Sequence, residues 1–313
     1  MNTVDAGMAV STSLLHEFDA RCERDVALGP LTWYGIGGCA EVVAHPASFD
    51  QLSTLVARCG DSDTPVYVLG SGANLLVADQ GVRGVVVRLD DPHFKQIRVY
   101  GNTVTVGAGF DLAKLVLQAA KAGLAGVGCL AGIPASVGGA VRMNAGGVYG
   151  QIGPSVCRVT VCDAFGQIQD LRQDELSFGY RTTNIQAPYI LEVELDLTPD
   201  DPVRLVQQVK GIFAYKKKSQ PLGDSSAGCV FKNPKPPSGQ GVVVPVSAGQ
   251  LIDRSGLKGF RIGGAEVSSR HANFIVTHGG CTAADVLALM EHIQKAVWYR
   301  FAVLLEREVV VWP

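Results

Sequence analysis

The chain has 313 residues, of which 47% are hydrophobic and 18% charged, and its 27 basic and 29 acidic side chains give a net charge of −2. This length exceeds the size at which one hydrophobic core usually stops growing, so two or more domains are expected. The composition excludes a disordered or collagen-like chain. The balanced charge excludes a global field that would attract nucleic acid or an anionic membrane.

The N-terminal residues, the cysteines and the histidines exclude further classes of protein. The first basic residue is Arg21, and no stretch approaches 18 apolar residues, so we expect a cytoplasmic protein with no signal peptide and no membrane span. The eight cysteines include no C-x-x-C pair and the six histidines no H-x-x-x-H pair, so neither disulfides nor a metal site is predicted. Residues 1–20 are treated as an N-terminal extension without an assigned element.

The first half of the chain alternates between helix and strand patterns, with glycine-rich turns after two of the strands. This order predicts an α/β arrangement of helices and strands and not an all-β fold. The predicted elements are a helix at 52–59, a strand at 65–69 that leads into the turn Gly70-Ser-Gly-Ala-Asn-Leu75, strands at 84–89 and 103–106, and an amphipathic helix at 112–122.

Residues 123–150 contain nine glycines in 28 positions, too many for a regular helix, yet apolar residues stand between them. We predict a buried, ordered loop that cradles a cofactor. A new lobe is expected to begin near residue 205. The later predicted elements are strands at 157–163 and 190–197, a helix at 202–217, a strand at 274–277, a helix at 283–302 and a strand at 308–312.

Taken singly, the polar motifs leave more than one interpretation open. Gly70-x-Gly72 follows a strand but lacks the third glycine of a dinucleotide fingerprint, so it is either a nest for a pyrophosphate or a tight structural turn. Arg181 is either a carboxylate partner or a surface residue, and Cys229 either a reactive thiol or an inert one. Glu306 and Glu308 are expected on one face of the C-terminal strand.

Nine motifs in order, from about Leu31 to Val311, resemble the UDP-N-acetylenolpyruvoylglucosamine reductase family. Each could arise by chance, but the ordered set is highly specific. The motifs are Thr32-Trp-Tyr-x-Ile-Gly-Gly38, Leu69-Gly-Ser-Gly-Ala-Asn-Leu-Leu76, Gly132-Ile-Pro-Ala-Ser-Val-Gly-Gly139, Phe178-Gly-Tyr-Arg181, Ala227-Gly-x-Val-Phe-Lys-Asn-Pro234, Gly249-Gln-Leu-Ile-Asp253, Leu257-Lys-Gly-x-Arg-Ile-Gly-Gly-Ala265, His271-Ala-Asn-Phe274 and Leu305-Glu-x-Glu-Val309.

The resemblance implies an α+β fold, with a two-lobed FAD-binding domain of the vanillyl-alcohol-oxidase and p-cresol-methylhydroxylase type followed by an α+β substrate domain. It also implies an NADPH-dependent flavoenzyme of peptidoglycan precursor synthesis that reduces UDP-N-acetylglucosamine enolpyruvate to UDP-N-acetylmuramate. We expect a monomer that binds FAD non-covalently and no metal. The predicted division is lobe 1 at 21–85, lobe 2 at 86–204, the substrate domain at 205–305 and a strand carrying Glu308 at 306–313.

The site residues carried over by the resemblance fall into three groups. Arg181, Cys229 and Glu308 are the catalytic set. Contacts to FAD are expected from Tyr34, Gly70, Ser71, Gly72, Ala73, Asn74, Leu75, Gly132, Ile133, Pro134, Ser136, Val137, Gly138, Asn144 and Gly146. Contacts to the substrate are expected from Tyr180, Lys217, Lys218, Asn233, Gln250, His271 and Asn273.

The chain departs from the family pattern at position 229, where the commonest residue is a serine assigned as the proton donor. A thiol is a stronger acid than an alcohol, so Cys229 can still protonate C2 of the enolpyruvyl group. Only 48 positions separate Arg181 from Cys229, so this chain resembles the branch that lacks a tyrosine-bearing loop. The alternatives are a flavin oxidase, for which the only first-lobe histidine, His45, is poorly placed to tether FAD, and a non-enzymatic binding protein.

Overall fold

The computed structural model describes Val10, residues 21–234 and residues 247–313. The predicted N-terminal extension lies outside these residues apart from Val10, as does part of the segment 220–241, which is rich in Pro, Gly and Ser and in which we expect a linker. The chain divides into two compact units. The first contains residues 1–26, 40–70 and 82–210, and the second contains residues 27–39, 71–81 and 211–313.

The described residues contain six α-helices and twenty strands, together with five short 3-10 helices. The helices are Phe49–Asp61 (α1), Leu112–Lys121 (α2), Val137–Arg142 (α3), Pro202–Ser219 (α4), Ala248–Arg254 (α5) and Ala283–Phe301 (α6). The strands are Arg21–Ala27 (β1), Cys39–His45 (β2), Val66–Val68 (β3), Leu75–Val77 (β4), Val82–Val87 (β5), Ile97–Tyr100 (β6), Thr103–Gly107 (β7), Leu124–Ala125 (β8), Gly146–Gly147 (β9), Gly150–Gln151 (β10), Val156–Cys162 (β11), Ile168–Arg172 (β12), Phe178–Gly179 (β13), Thr182–Thr183 (β14), Tyr189–Asp196 (β15), Thr198–Pro199 (β16), Arg261–Ile262 (β17), Ala265–Val267 (β18), Ile275–Thr277 (β19) and Val310–Trp312 (β20).

The described part of the first unit contains two larger sheets and three two-stranded ones, β9-β10, β13-β14 and β8-β16. In the four-stranded sheet, ordered β1-β2-β5-β3, β5 pairs in parallel with both β2 and β3. Its central strands are valine-rich and largely buried, as is usual for parallel strands covered on both faces. The second sheet, ordered β12-β11-β15-β7-β6, is antiparallel in every pairing.

The second unit is built around α6, whose buried residues follow a helical period. Val286, Leu289, Met290, Ile293 and Val297 are all buried and form one apolar stripe. This stripe belongs to a core that also contains α5 and the antiparallel sheet β17-β18-β19. The parallel pair of β4 and β20 brings residues 75–77 beside residues 310–312, which are far apart in sequence.

Two predicted elements differ from the structure. The glycine-rich segment 123–150 contains the helix α3, which forms because Ser136 caps it by accepting a hydrogen bond from Gly139 N–H. Gly138 is needed there, since a Cβ would lie 2.9 Å from the Cβ of Ala108. The last strand begins at Val310, so Glu308 precedes it and does not share a strand face with Glu306.

Candidate active site

The predicted phosphate turn in the second unit has the backbone that an anion site requires. Gly72 adopts a φ of +66°, and its carbonyl accepts a hydrogen bond from Trp33 N–H at 3.1 Å. A Cβ at this position would lie 2.3 Å from the Leu31 carbonyl oxygen, so only glycine fits. Among the described residues, none of the main-chain N–H groups of residues 71–74 donates to a protein acceptor. These available donors fit the pyrophosphate of FAD.

Asn74 joins this turn to Glu308. Its Nδ2 donates to the Glu308 carbonyl oxygen at 3.2 Å, and its own carbonyl accepts a hydrogen bond from Val310 N–H at 3.1 Å. The contact lies at the start of the β4–β20 pair, where Leu75 is opposite Val310. The predicted cofactor turn and the predicted catalytic glutamate are therefore neighbours in one unit.

Cys229 lies beside the same C-terminal segment. The carbonyl of Val230, the next residue, accepts a hydrogen bond from Glu308 N–H at 2.7 Å. Cys229 itself forms an isolated antiparallel bridge with Phe274, and Phe231 forms one with Arg307. Both Cys229 and Glu308 are partly exposed. The second unit therefore brings together two of the three predicted catalytic residues, from segments about 80 positions apart in sequence.

Asn273 fixes the segment that carries Cys229. Its Oδ1 accepts a hydrogen bond from Phe231 N–H at 3.0 Å, and its Nδ2 donates to the Phe231 carbonyl oxygen at 2.8 Å. Its own carbonyl accepts a hydrogen bond from Val230 N–H at 2.8 Å. Asn273 is buried, so the amide replaces the donor and acceptor that a neighbouring strand would present.

His271 lies beside this amide in a buried environment. Its Nδ1 accepts a hydrogen bond from Asn273 N–H at 3.3 Å, and its ring meets that of Phe274 edge-on with centroids 4.8 Å apart. Burial lowers the pKa of His271 from its usual 6.5, and the positive charge of Lys258 lowers it further. The neutral imidazole is the form that accepts the hydrogen bond from Asn273.

The remaining predicted substrate residues of the second unit are more exposed. Lys217 and Lys218 are exposed at the end of α4, whereas Lys216 is buried. Lys216 is not among the predicted substrate residues. Its helical spacing places it on the same face of α4 as Leu205 and Ile212, which are also buried.

Asn233 and Gln250 are exposed and stabilise the start of α5. The Oδ1 of Asn233 accepts a hydrogen bond from Ala248 N–H at 3.0 Å. The Oε1 of Gln250 accepts one from Ser247 N–H at 3.1 Å, and Gln250 N–H donates to the Ser247 hydroxyl in a reciprocal capping box. Their predicted contacts to substrate would add to these local roles.

Tyr34 is 1% exposed and belongs to the core of the second unit. Burial raises the pKa of its hydroxyl, and the nearby Cys281 raises it further. Within the described part of the chain, this hydroxyl is buried without a hydrogen-bond partner. The main-chain carbonyl oxygen of Tyr34 accepts a hydrogen bond from the Thr277 hydroxyl at 2.6 Å. The predicted contact of Tyr34 to FAD therefore falls at a residue with an unsatisfied buried donor.

The predicted flavin loop of the first unit, residues 132–139, is tied down by its own main chain. Val137 N–H donates to the Phe110 carbonyl at 2.9 Å and Gly138 N–H to the Ala108 carbonyl at 2.8 Å. Gly70 is the first residue of the turn 70–75 and the last residue of the segment 40–70 of the first unit. It lies against Ser136, whose Oγ would be 2.6 Å from a Cβ at position 70. The loop is a rigid support, and its main chain passes close to neighbouring backbone.

Arg181 also lies in the first unit, in the turn between β13 and β14. Its Nη2 donates to the Gly146 carbonyl oxygen at 2.9 Å, and its Cζ lies 5.1 Å from the centroid of the Tyr180 ring. Its φ is +56°, which is uncommon for a residue other than glycine. A bulky residue held in this conformation is typical of a functional site that the surrounding structure over-determines.

His45 is held between carboxylates. Its Nδ1 lies 2.7 Å from Asp90 Oδ1 and its Nε2 lies 3.5 Å from Glu23 Oε1. Both ring nitrogens are thus occupied, which argues against a role as a covalent anchor for flavin. The described residues contain no cluster of three His, Cys, Asp or Glu side chains that could hold a metal ion. None of the helices in residues 21–234 and 247–313 is long and apolar enough to cross a membrane.

Two sequence profiles match the chain: an FAD binding domain over residues 40–172 and the C-terminal domain of UDP-N-acetylenolpyruvoylglucosamine reductase over residues 220–312. UDP-N-acetylenolpyruvoylglucosamine reductase 2 of Symbiobacterium thermophilum is 42% identical over 294 residues, covering 93% of this chain and 92% of that protein. The reductase of Bacillus subtilis is 37% identical and covers 88% and 89% of the two chains.

A solved structure gives the same result. The crystal structure of UDP-N-acetylenolpyruvylglucosamine reductase from Thermus caldophilus matches with a TM-score of 0.78 and 38% identity, covering 94% of this chain and all of that one. The fold and the matched FAD-binding region define this chain as an FAD-dependent oxidoreductase. It belongs to the UDP-N-acetylenolpyruvoylglucosamine reductase family. The predicted resemblance, the α+β class with an FAD-binding domain, and FAD as cofactor are thereby confirmed.

Proposed function

We propose that the protein reduces UDP-N-acetylglucosamine enolpyruvate to UDP-N-acetylmuramate, with NADPH as reductant. Family membership supports the activity. The observation that supports it best in this chain is the pairing of Glu308 N–H with the Val230 carbonyl, which brings Glu308 beside the segment of Cys229. A protein that had lost its chemistry would have no reason to keep a proton-bearing side chain and a glutamate together at this point.

The cofactor supplies the hydride, which adds to C3 of the enolpyruvyl group when FAD is bound and reduced. The negative charge that develops at C2 is delocalised into the adjacent carboxylate, so the protein must supply positive charge and donors there. In our proposal, Arg181 binds this carboxylate through its guanidinium fork. The Cys229 thiol protonates C2. Glu308 either carries a proton itself or orients a hydrogen-bond donor toward the same centre.

The cofactor and substrate contacts remain proposals as a set. We propose FAD contacts from the turn and loop residues Tyr34, Gly70, Ser71, Gly72, Ala73, Asn74, Leu75, Gly132, Ile133, Pro134, Ser136, Val137, Gly138, Asn144 and Gly146, and substrate contacts from Tyr180, Lys217, Lys218, Asn233, Gln250, His271 and Asn273. We also propose two FAD-binding lobes, 21–85 and 86–204, and a substrate domain from 205 to 305 followed by 306–313.

An anaerobic titration of the purified holoprotein tests the activity. We expect NADPH to bleach the flavin absorbance, and UDP-N-acetylglucosamine enolpyruvate then to restore it. Bleaching without reoxidation by the enolpyruvyl nucleotide, but with reoxidation by oxygen, would favour the flavin oxidase. A protein that binds no FAD would contradict the proposal altogether.

Alkylation of the wild-type protein with iodoacetamide tests the role of Cys229. Burial raises the pKa of the thiols of Cys59, Cys162 and Cys281 to about 11, so these react slowly. We expect activity to be lost in step with modification of Cys229. Cys229→Ser should remain active and resist the reagent, whereas the control Cys39→Ser, which removes an exposed thiol, should stay sensitive. Full activity of Cys229→Ala would contradict the assignment.

We further propose a cytoplasmic location and a monomer. All eight cysteines lie within the described residues and none forms a disulfide there, which fits a reducing compartment. Sedimentation of the purified protein tests the monomer, and the thiol content of protein isolated under denaturing alkylation tests the compartment.

A further inference from the structure

Asn144 is wholly buried, with 0% of its surface exposed, and it adopts the left-handed conformation with a φ of +41°. Its amide is hydrogen-bonded on both sides. Oδ1 accepts a hydrogen bond from Gly153 N–H at 3.0 Å, and Nδ2 donates to the Gly179 carbonyl oxygen at 2.7 Å. Both ends of the side-chain amide are thus used within the protein. The proposed contact of Asn144 to FAD therefore has to come from its main chain, and the amide serves another purpose.

The partner of Nδ2 leads to Arg181. Gly179 is two residues before Arg181, and Gly146, which accepts the hydrogen bond from Arg181 Nη2 at 2.9 Å, is two residues after Asn144. The segments 144–146 and 179–181 therefore hold each other by two opposed side-chain-to-backbone hydrogen bonds, which we name the Asn144–Arg181 clasp. Both donor residues, Asn144 and Arg181, have the left-handed backbone conformation, which residues other than glycine rarely adopt.

We propose that Asn144 is a positioning residue for Arg181. The inference rests on the proposed function, in which Arg181 binds the substrate carboxylate. Nδ2 fixes the Gly179 carbonyl and hence the turn from which Arg181 projects, while the guanidinium is kept in place by the Gly146 carbonyl. A guanidinium fork recognises a carboxylate only when its plane is correctly oriented, so loosening the turn weakens substrate binding without touching the flavin.

Asn144→Gly is the sharpest test, because glycine keeps the positive φ and removes only the amide. We expect the KM for the enolpyruvyl nucleotide to rise about tenfold, the usual scale for one displaced charge-assisted hydrogen bond. Bleaching by NADPH, the affinity for FAD and the visible flavin spectrum should stay within about twofold of wild type. The control Asn184→Ala removes an amide from the same hairpin whose bonds are exposed, and should change neither half-reaction.

Asn144→Asp supplies a pH-dependent readout and a second variant should the glycine protein not fold. A protonated carboxyl can donate to the Gly179 carbonyl, whereas a carboxylate cannot. The KM defect of Asn144→Asp, relative to wild type at the same pH, should therefore shrink as the pH falls. A merely structural defect would not recover in this way.

The proposal would be overturned by a weakened FAD affinity or altered flavin spectrum in Asn144→Gly, which would make the side-chain amide of Asn144 a cofactor ligand. Wild-type kinetics in both variants would overturn it as well. In Arg181→Lys, the added effect of Asn144→Gly should be small, since the two residues act through one contact. Equal, additive effects would also overturn it. A failure of the proposed function is distinguishable, because the wild-type flavin would then not be reoxidised by the enolpyruvyl nucleotide.

Discussion

Replacing Asn273 by leucine should destabilise the second unit more than any comparable change at an exposed asparagine. The substitution keeps the approximate volume but removes the two hydrogen bonds to Phe231 N–H and Phe231 C=O, at 3.0 and 2.8 Å. Phe231 is 1% exposed, so water cannot replace either partner. An unsatisfied buried main-chain group costs about 1–3 kcal/mol, so two such groups cost about 2–6 kcal/mol, and we take about 3 kcal/mol as a conservative value.

The assay is equilibrium unfolding in urea, with a thermal scan as a second measure. A loss of about 3 kcal/mol corresponds to a fall of roughly 6–12 °C in Tm for a protein of this size class. Asn184→Leu is the matched control. Its amide makes the same pair of main-chain contacts, with Ser177 N–H at 2.7 Å and Glu175 C=O at 2.8 Å, but in an exposed hairpin.

We expect the control to cost under about 1 kcal/mol, because water satisfies the released groups. Equal losses in the two variants would refute the argument that burial of the Phe231 main chain sets the cost. Asn273→Leu should also slow reoxidation of the flavin by substrate, since Phe231 is two residues from Cys229. An unchanged second half-reaction would show that the Cys229 segment is held without Asn273.

Three further predictions concern the second unit. Burial lowers the pKa of His271 below 6.5, so the unfolded chain binds a proton at this residue at a higher pH than the folded chain does. The contribution of neutral His271 to the free energy of unfolding is therefore fully present above pH 6.5, and it is lost as the pH falls toward the lowered pKa. Urea midpoints at pH 7.5 and 5.5 should show this loss in wild type and a smaller one in His271→Gln. Gly72→Ala should cost at least about 2 kcal/mol more than Gly35→Ala, which shares a φ near +70° but has no atom within 4 Å of the added Cβ, as chemical denaturation can show. Asp79→Ala should cost about 1 kcal/mol in the same assay, because its carboxylate accepts hydrogen bonds from Ala283 and Ala284 N–H at the start of α6, while the neighbouring Gln80→Ala should be neutral.

Local patterns predicted four of the six α-helices and seven of the twenty strands in the described residues, and the reasons for the successes are visible in α6. Its apolar residues recur with the helical period, Thr282 caps its start, and Ala302 ends it in the left-handed conformation. The glycine content of residues 123–150 predicts no helix, and the helix α3 is therefore not anticipated by the sequence. Gly138 is tolerated there for close packing against Ala108.

The side-chain contacts of the site could not be predicted in the same way. Asn273 and Phe231 are 42 positions apart, and Asn144 and Gly179 are 35 apart. Nothing in the local sequence distinguishes an asparagine that binds a ligand from one that binds a distant main chain. Motif order therefore predicts a set of site residues, whereas the hydrogen-bond partners of those residues depend on the tertiary fold.

Three asparagines share one physical role, Asn144 in the first unit and Asn74 and Asn273 in the second. Asn74 donates to the Glu308 carbonyl, Asn144 to that of Gly179 and Asn273 to that of Phe231. Segments that carry reactive side chains cannot all be sheet strands, yet their buried main-chain groups still need partners. A primary amide supplies a donor and an acceptor without charge, so it replaces a strand neighbour where none can fit. Each of the three predicted catalytic residues thus lies within two positions of a main-chain carbonyl that accepts a hydrogen bond from an asparagine amide, and this bond fixes the backbone from which the side chain projects.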